Sequence, residues 1–239
     1  IGALPADPAE DPDRPAGQAL PLAADPGIAA QLQERNARLS PFWLQPQGGS
    51  AGPFAGRTAL VVDAEDRFTT MLAHQLRHLG LITRVVAWHE VDDSAAAAAD
   101  LVVAGPGPGD PRDPDDPRIR RMREIVAGRL ETGAPLLAVC LSHQILADRL
   151  GADLAPLAAP HQGLQREVDL FGERAAIGFY NTFTARVTPG ATRLGGADVA
   201  ADPGTGDVWA LRGPAMASIQ GHVESILYRD GMRTLERLV

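Results

Sequence analysis

"PLLAVCLSHQILADRLG", residues 135–151, decides how this chain is folded. Leu136 to Val139 form an apolar run of the length of a buried strand, and a helical pattern begins directly behind it. Between the two stands Cys140, the only cysteine in the chain. A strand that passes into a helix without a loop is the junction of a βα unit, and parallel α/β sheets place their chemistry at the carboxyl ends of strands. At that junction the helix N-terminus favours thiolate over thiol. A sharp strand-to-helix turn also pushes the side chain clear of the sheet, as in a nucleophile elbow, and it demands small residues two positions to either side. Ala138 and Ser142 are both small. An ordinary buried thiol is the competing reading, since free cysteine is among the most buried residue types.

The segments upstream repeat the alternation. "TALVVD" (58–63), "LITRVVAW" (81–88) and "LVVAG" (101–105) have the β-branched, apolar content of buried strands. Helical spacing joins Phe68, Met71, Leu72, Gln75 and Leu79 ahead of Gly80, and "SAAAAAD" predicts a short helix. Residues 118–131 form another helix, with Ile119, Met122, Ile125, Val126 and Leu130 on one face. Strands alternating with helices predict a mostly parallel central sheet flanked by helices. After Gly151 the runs shorten ("LQREVDL", "AAIGFY", "TFTARV", "DVWAL", "AMASIQ"), which predicts a strand-rich C-terminal half, and "ESILYRDGMRTLERLV" predicts a closing helix.

The first 56 residues differ. Residues 1 to about 28 are rich in Pro, Ala and Asp without periodicity, the composition of a linker or extended arm. Ile28, Leu32, Leu39, Phe42 and Trp43 then suggest a short helix or clamp before Gly48, Gly49 and Gly52. The expected division is an arm over 1–56 and a globular domain over 57–239. The chain starts without Met or a signal pattern and is expected to be a piece of a longer one.

Composition narrows the function. The formal charge is −8, which argues against a nucleic-acid or anionic-membrane surface. No run approaches the roughly 20 apolar residues of a membrane span. All 22 basic residues are arginine, a mark of coding composition and not of mechanism. One cysteine forms no internal disulfide, so a reducing, cytoplasmic setting is expected.

Two more segments bear on Cys140. "GPGPGD" (105–110) ends the strand before it. Its glycines let backbone approach a ligand and its prolines stiffen the loop, so outward N–H groups there suit an oxyanion. The N–H of Leu141 is the natural second donor. A phosphate loop is excluded, because the Gly-Lys-Ser/Thr ending is missing and Asp residues follow. "SIQGHVES" (218–225) supplies a base and its orienting acceptor: on an extended segment His222 and Glu224 leave the same face. His74 and His78 read as surface residues, His89 as a strand end, His143 as aimed away from the thiol, and His161 as a loop residue. Spacing alone leaves open whether Cys140 and His222 meet.

In this order, "GPGPGDP", "AVCLSHQ" and "SIQGHVES" resemble the class I glutamine amidotransferase domain, over roughly residues 57–239. The resemblance implies a flavodoxin-like fold and hydrolysis of glutamine to glutamate and ammonia, which passes to a synthase partner. It makes Cys140 the nucleophile, His222 the general base and then acid, and Glu224 its orienting carboxylate. Gly107 and Leu141 become the oxyanion donors. Gln144 matches the glutamine-binding position, and "FYNTF" (179–183) adds Thr182 and Phe183 through the backbone that holds the substrate's amino and carboxylate groups.

Finer details, "HQGLQREVDLFG", "GFYNTF" and the linker-like "RNARLSPFW" (35–43), resemble the amidotransferase half of phenazine-type 2-amino-2-deoxyisochorismate synthases. The anthranilate synthase amidotransferase component is the alternative. It more often has Gly after the Cys-Leu pair and a Gly-Lys-Thr-Ser stretch at Gln162 to Arg166. The likeness implies no cofactor or metal in this domain, Mg2+ in the partner synthase, and membership of a larger oligomer. A γ-glutamyl hydrolase and a degenerate scaffold are the rivals. The scaffold reading draws on Gly221 and Val223, which stand where the family has Phe and Pro. Loss of a buried Phe predicts a void, at a cost of about 3–5 kcal/mol, and a looser backbone at His222.

Overall fold

The computed structural model describes residues 26–31, 33 and 52–239. Residues 26–31 and 33 are helical. The rest of the expected arm, with Leu32, Leu39, Phe42, Trp43, Gly48, Gly49 and "RNARLSPFW", lies outside the described residues.

From Thr58 the chain builds an eight-stranded sheet in the order β2 (Ile82–Ala87), β1 (Thr58–Asp63), β3 (Leu101–Ala104), β4 (Leu136–Val139), β12 (Met216–Ile219), β11 (Val208–Arg212), β10 (Ala197–Ala201), β9 (Arg193–Leu194). The first five are parallel and the last three antiparallel. Register is tight at the centre: Ala104 pairs with Ala138, and Val139 with Ile219. The sheet is therefore mostly parallel with a strand-rich C-terminal half. Two antiparallel pairs stand apart from it, β5 (Asp153–Pro156) with β8 (Phe183–Arg186) and β6 (Leu164–Leu170) with β7 (Glu173–Phe179).

Because successive side chains leave opposite faces of a strand, the central strands feed two cores. Val61, Val103, Leu137 and Val139 pack with Leu72 and Leu76 of α1 (Thr69–His78) and with Val168 and Ile177 of the β6–β7 hairpin. Leu60, Val62, Val102 and Leu136 pack with Ile119, Met122 and Val126 of α3 (Pro117–Thr132) and with Ile145 and Leu146 of α4 (Leu141–Arg149). The short α2 spans Asp93–Ala98. Helix α3 starts where Asp116 accepts hydrogen bonds from the Arg118 and Ile119 N–H groups, with Pro117 in the first turn, and it stops at the left-handed Gly133. Its buried face differs from the expected one at the end: Leu130 is only partly buried, while Arg129 is buried and donates to the carbonyls of Ala96, Ala99 and Pro135.

The closing helix is shorter than its sequence suggests. α5 spans only Gly231–Leu238, and 220–230 run through bends and turns. Ser225 N–H donates to the His222 carbonyl and Tyr228 N–H to the Ser225 carbonyl. Gly231 passes so close to Val223 that an added Cβ would sit 1.9 Å from its carbonyl oxygen. That close packing ties the segment down as turns.

Candidate active site

Cys140 sits between β4 and α4 with φ 53° and ψ −105°. An L-residue holds a positive φ only when its surroundings over-determine it. Here the Cys140 N–H donates to the Ile219 carbonyl at 2.9 Å, and the Ser142 hydroxyl donates to the Gly105 carbonyl at 2.7 Å. The second bond ties the elbow to the glycine-proline loop at the end of β3. Helix α4 is buried from Leu141 through Ala147. His143 points away from the thiol: Nδ1 meets Ser218 Oγ at 2.8 Å and Nε2 meets the Val208 carbonyl at 3.1 Å. Burial lowers its pKa to about 4, so it is a neutral structural group at physiological pH.

His222 and Glu224 also come together, by a route the spacing did not foresee. β12 ends at Ile219 and residues 223–224 form a turn, so the pair does not share a strand face. The turn itself brings His222 Nδ1 to Glu224 Oε1 at 2.8 Å, and each residue is only 1% exposed. Burial opposes a charge on His222, but the Cys140 sulfur and the Glu224 carboxylate outweigh it and hold its pKa well above the ordinary value. The ring is packed by Phe68 at 4.7 Å and Tyr180 at 5.3 Å between centroids. The His222 N–H donates to the Gly178 carbonyl at 3.1 Å, anchoring this segment to β7.

The void expected at Gly221 is not there. A Cβ built on Gly221 would lie 2.1 Å from Ile177 Cγ2, so the β7 side chain already fills the space. Val223 is buried in the α1-side core, and its carbonyl accepts from Gln75 Nε2 at 3.2 Å.

Above the elbow opens a cavity of about 490 Å3. Cys140, Gly107, Leu141, Gln144, Thr182 and Phe183 all stand on its wall, and His222 and Glu224 are buried behind it. Only glycine fits at 107, where a Cβ would meet Ala64 O at 2.5 Å and Leu141 Cδ2 at 3.0 Å. Arg112 pairs with Asp110 at 2.8 Å and lies 4.9 Å over the Phe183 ring, linking the glycine-proline loop to the 180–183 segment.

Sequence reasoning missed Phe68, Tyr180, Asn181 and Gln220. Phe68 caps α1 and read as part of its apolar face; its place against His222 follows from the order of β1 and β12 in the sheet, which spacing does not encode. Tyr180 and Asn181 lay inside the quoted "FYNTF", and Gln220 inside "SIQGHVES", without distinct roles. Among the described residues, no group of three or more His, Cys, Asp or Glu is arranged to hold a metal ion, and no helix is long and apolar enough to cross a membrane.

A buried His–Glu pair behind a strained cysteine, on a glycine-walled pocket, is an arrangement suited to covalent hydrolysis of an amide. The family model "Glutamine amidotransferase class-I" matches residues 60–239. The chain belongs to the class-I glutamine amidotransferases. It is 44% identical over 218 residues to a phenazine-specific anthranilate synthase of Pseudomonas fluorescens, covering 89% of this chain and 34% of that protein. It is 30% identical over 183 residues to anthranilate synthase component 2 of Archaeoglobus fulgidus, covering 75% of this chain and 96% of that one. A crystal structure of a glutamine amidotransferase from Thermotoga maritima shares the fold, with a TM-score of 0.55 at 17% identity over 70% of this chain and 76% of that one. This amidotransferase domain spans about a third of the length of its phenazine-specific relatives.

Proposed function

We propose that this domain hydrolyses glutamine through a Cys140 thioester and delivers the ammonia to a chorismate-aminating synthase. The observation that carries the reading is the Cys140–His222–Glu224 arrangement at the wall of the cavity. His222 takes the Cys140 proton on the nitrogen that Glu224 leaves free. The thiolate attacks the glutamine side-chain carbonyl, forming an S–C bond, and the oxygen takes the negative charge opposite the N–H groups of Gly107 and Leu141. As the intermediate collapses, the C–N bond breaks and His222 returns the proton to the departing ammonia. Water, deprotonated by His222, then attacks the thioester, releasing glutamate and regenerating the thiol. Gln144, Thr182 and Phe183 position the substrate.

Residues 57–239 form the amidotransferase and 1–56 the connection to a synthase, within a larger cytoplasmic assembly. The names of the relatives that are 44% and 42% identical, anthranilate synthase, phenazine specific, support a partner of the 2-amino-2-deoxyisochorismate type. A glutamine-analogue diazo-ketone tests the site. It is expected to label Cys140 stoichiometrically in the full chain with its synthase half present, with glutamine protecting; an unlabelled Cys140 in folded protein contradicts the proposal.

A further inference from the structure

Cys140 has a polar neighbour besides His222. Gln220 is 1% exposed, and its side-chain Nε2 lies 3.7 Å from Cys140 Sγ. Which end of that amide faces the sulfur is fixed by the groups behind it. The Phe183 carbonyl can only accept, so Gln144 must turn its Nε2 toward it, at 2.7 Å. Asn181 Nδ2 donates to the same carbonyl at 2.8 Å. The other hydrogen on Gln144 Nε2 reaches Gln220 Oε1 at 2.9 Å. With Oε1 so engaged, Gln220 has only its NH2 group to turn toward the sulfur. Reversing Gln220 alone would oppose two NH2 groups, and reversing Gln144 would set carbonyl against carbonyl. The chain of bonds therefore runs in one direction.

We infer that Gln220 is a further catalytic residue: its Nε2–H donates to the Cys140 thiolate, and Gln144 and the Phe183 carbonyl lock it in that orientation. The inference rests on the proposed glutaminase reaction and deepens it. A thiol sulfur is a weak acceptor and a thiolate a strong one, so the bond favours the charged form. It strengthens as the Sγ–H proton passes to His222 and weakens as the sulfur electron pair becomes the S–C bond. Burial matters here, because Gln220 is 1% exposed and a hydrogen bond is stronger away from bulk solvent. The same wiring gives Gln144 a defined role. Both of its amide hydrogens are engaged within the protein, so it offers the cavity a carbonyl acceptor.

The test is the pH profile of Cys140 alkylation by iodoacetamide, read on the full chain beside glutaminase kinetics. Gln220→Met keeps length and removes the donor. The titratable and charged groups around the sulfur, His222 with Glu224 bonded behind it and Glu65, Asp66 and Arg67 on the cavity wall, are unchanged by it. The expected result is a profile midpoint about one pH unit higher, tenfold less thiolate at a given lower pH, with kcat down about tenfold or more and KM for glutamine little changed. Superimposable alkylation profiles in folded wild type and variant overturn the inference. Should Gln220→Met not fold, Gln144→Leu, which removes the orienting bond, is read by the same alkylation profile with the same two outcomes. A wild-type chain that is alkylated but never hydrolyses glutamine contradicts the parent reaction instead, and leaves the Gln220 result readable.

Discussion

Cys140 holds backbone angles of φ 53° and ψ −105°, where a Cβ is crowded by its own chain. Of two variants lacking the thiol, Cys140→Gly is therefore expected to be more stable than Cys140→Ala by about 1 kcal/mol, the reverse of the usual order. Denaturant melts read the difference directly; an Ala variant as stable as the Gly variant would show that the turn is unstrained. Behind the cysteine, Glu224 is buried and bonded to His222 Nδ1. Glu224→Gln keeps the shape and removes the charge, and glutaminase kcat is expected to fall at least about a hundredfold while Cys140 remains present and folded. His143 predicts a different pH effect. Its folded pKa of about 4 lies below the unfolded 6.5, so the unfolded chain binds a proton first as pH falls. The stability present above pH 6.5 is lost between 6.5 and 4, by about 3 kcal/mol at the lower end. His143→Gln should flatten that part of the stability profile relative to wild type; identical slopes would contradict the neutral buried imidazole.

The elements explain why a departure from the family pattern is tolerated. Gly221 in the turn after β12 and Ile177 on β7 fit as one unit, with the isoleucine methyl where a larger 221 side chain would begin. Gly221→Ala should destabilise by about 1–3 kcal/mol, and less in an Ile177→Ala background. Additive effects would show that the two positions do not share the space. From sequence alone Gly221 reads as a loss, because the residue that fills the gap is far away in the chain. The same limit governs the elements that were misread. β1, β3 and β4 were legible because strands buried on both faces are continuous apolar runs, "LVV" and "LLAV" among them. β5, β9 and β10 were not: Asp153–Pro156, Arg193–Leu194 and Ala197–Ala201 are short and poor in β-branched residues, and pairing makes them strands. The apolar residues after Glu224 looked like the start of the closing helix, yet turn bonds at Ser225 and Tyr228 delay the helix to Gly231 and leave Ile226 exposed.

Across the whole molecule, the site is assembled at the carboxyl edge of the parallel strands, where β1, β3, β4 and β12 each deliver one part. The β1 end brings Phe68, the β3 end Gly107, the β4 end Cys140 and the β12 end His222. Three of these parts were visible as motifs because turn geometry and chemistry constrain residue type locally. Phe68 was not, since its contact with His222 depends on the chain beyond β1 and the chain beyond β12, which flank β3 and β4 from opposite sides, meeting over the strand ends after folding. The His222–Glu224 contact was named for the wrong geometry: a two-residue spacing suits a strand face, and a tight turn met the same requirement. The proposed division of labour is testable, because a cavity that generates ammonia for a separate aminating site could be silenced alone. The direct measurement is amination of chorismate by the full-length protein carrying Cys140→Ser, with glutamine and then with ammonium as nitrogen source. Glutamine-dependent product should vanish while ammonium-dependent product persists at the wild-type rate. Undiminished glutamine-dependent product, or loss of both activities in a folded variant, would contradict the account.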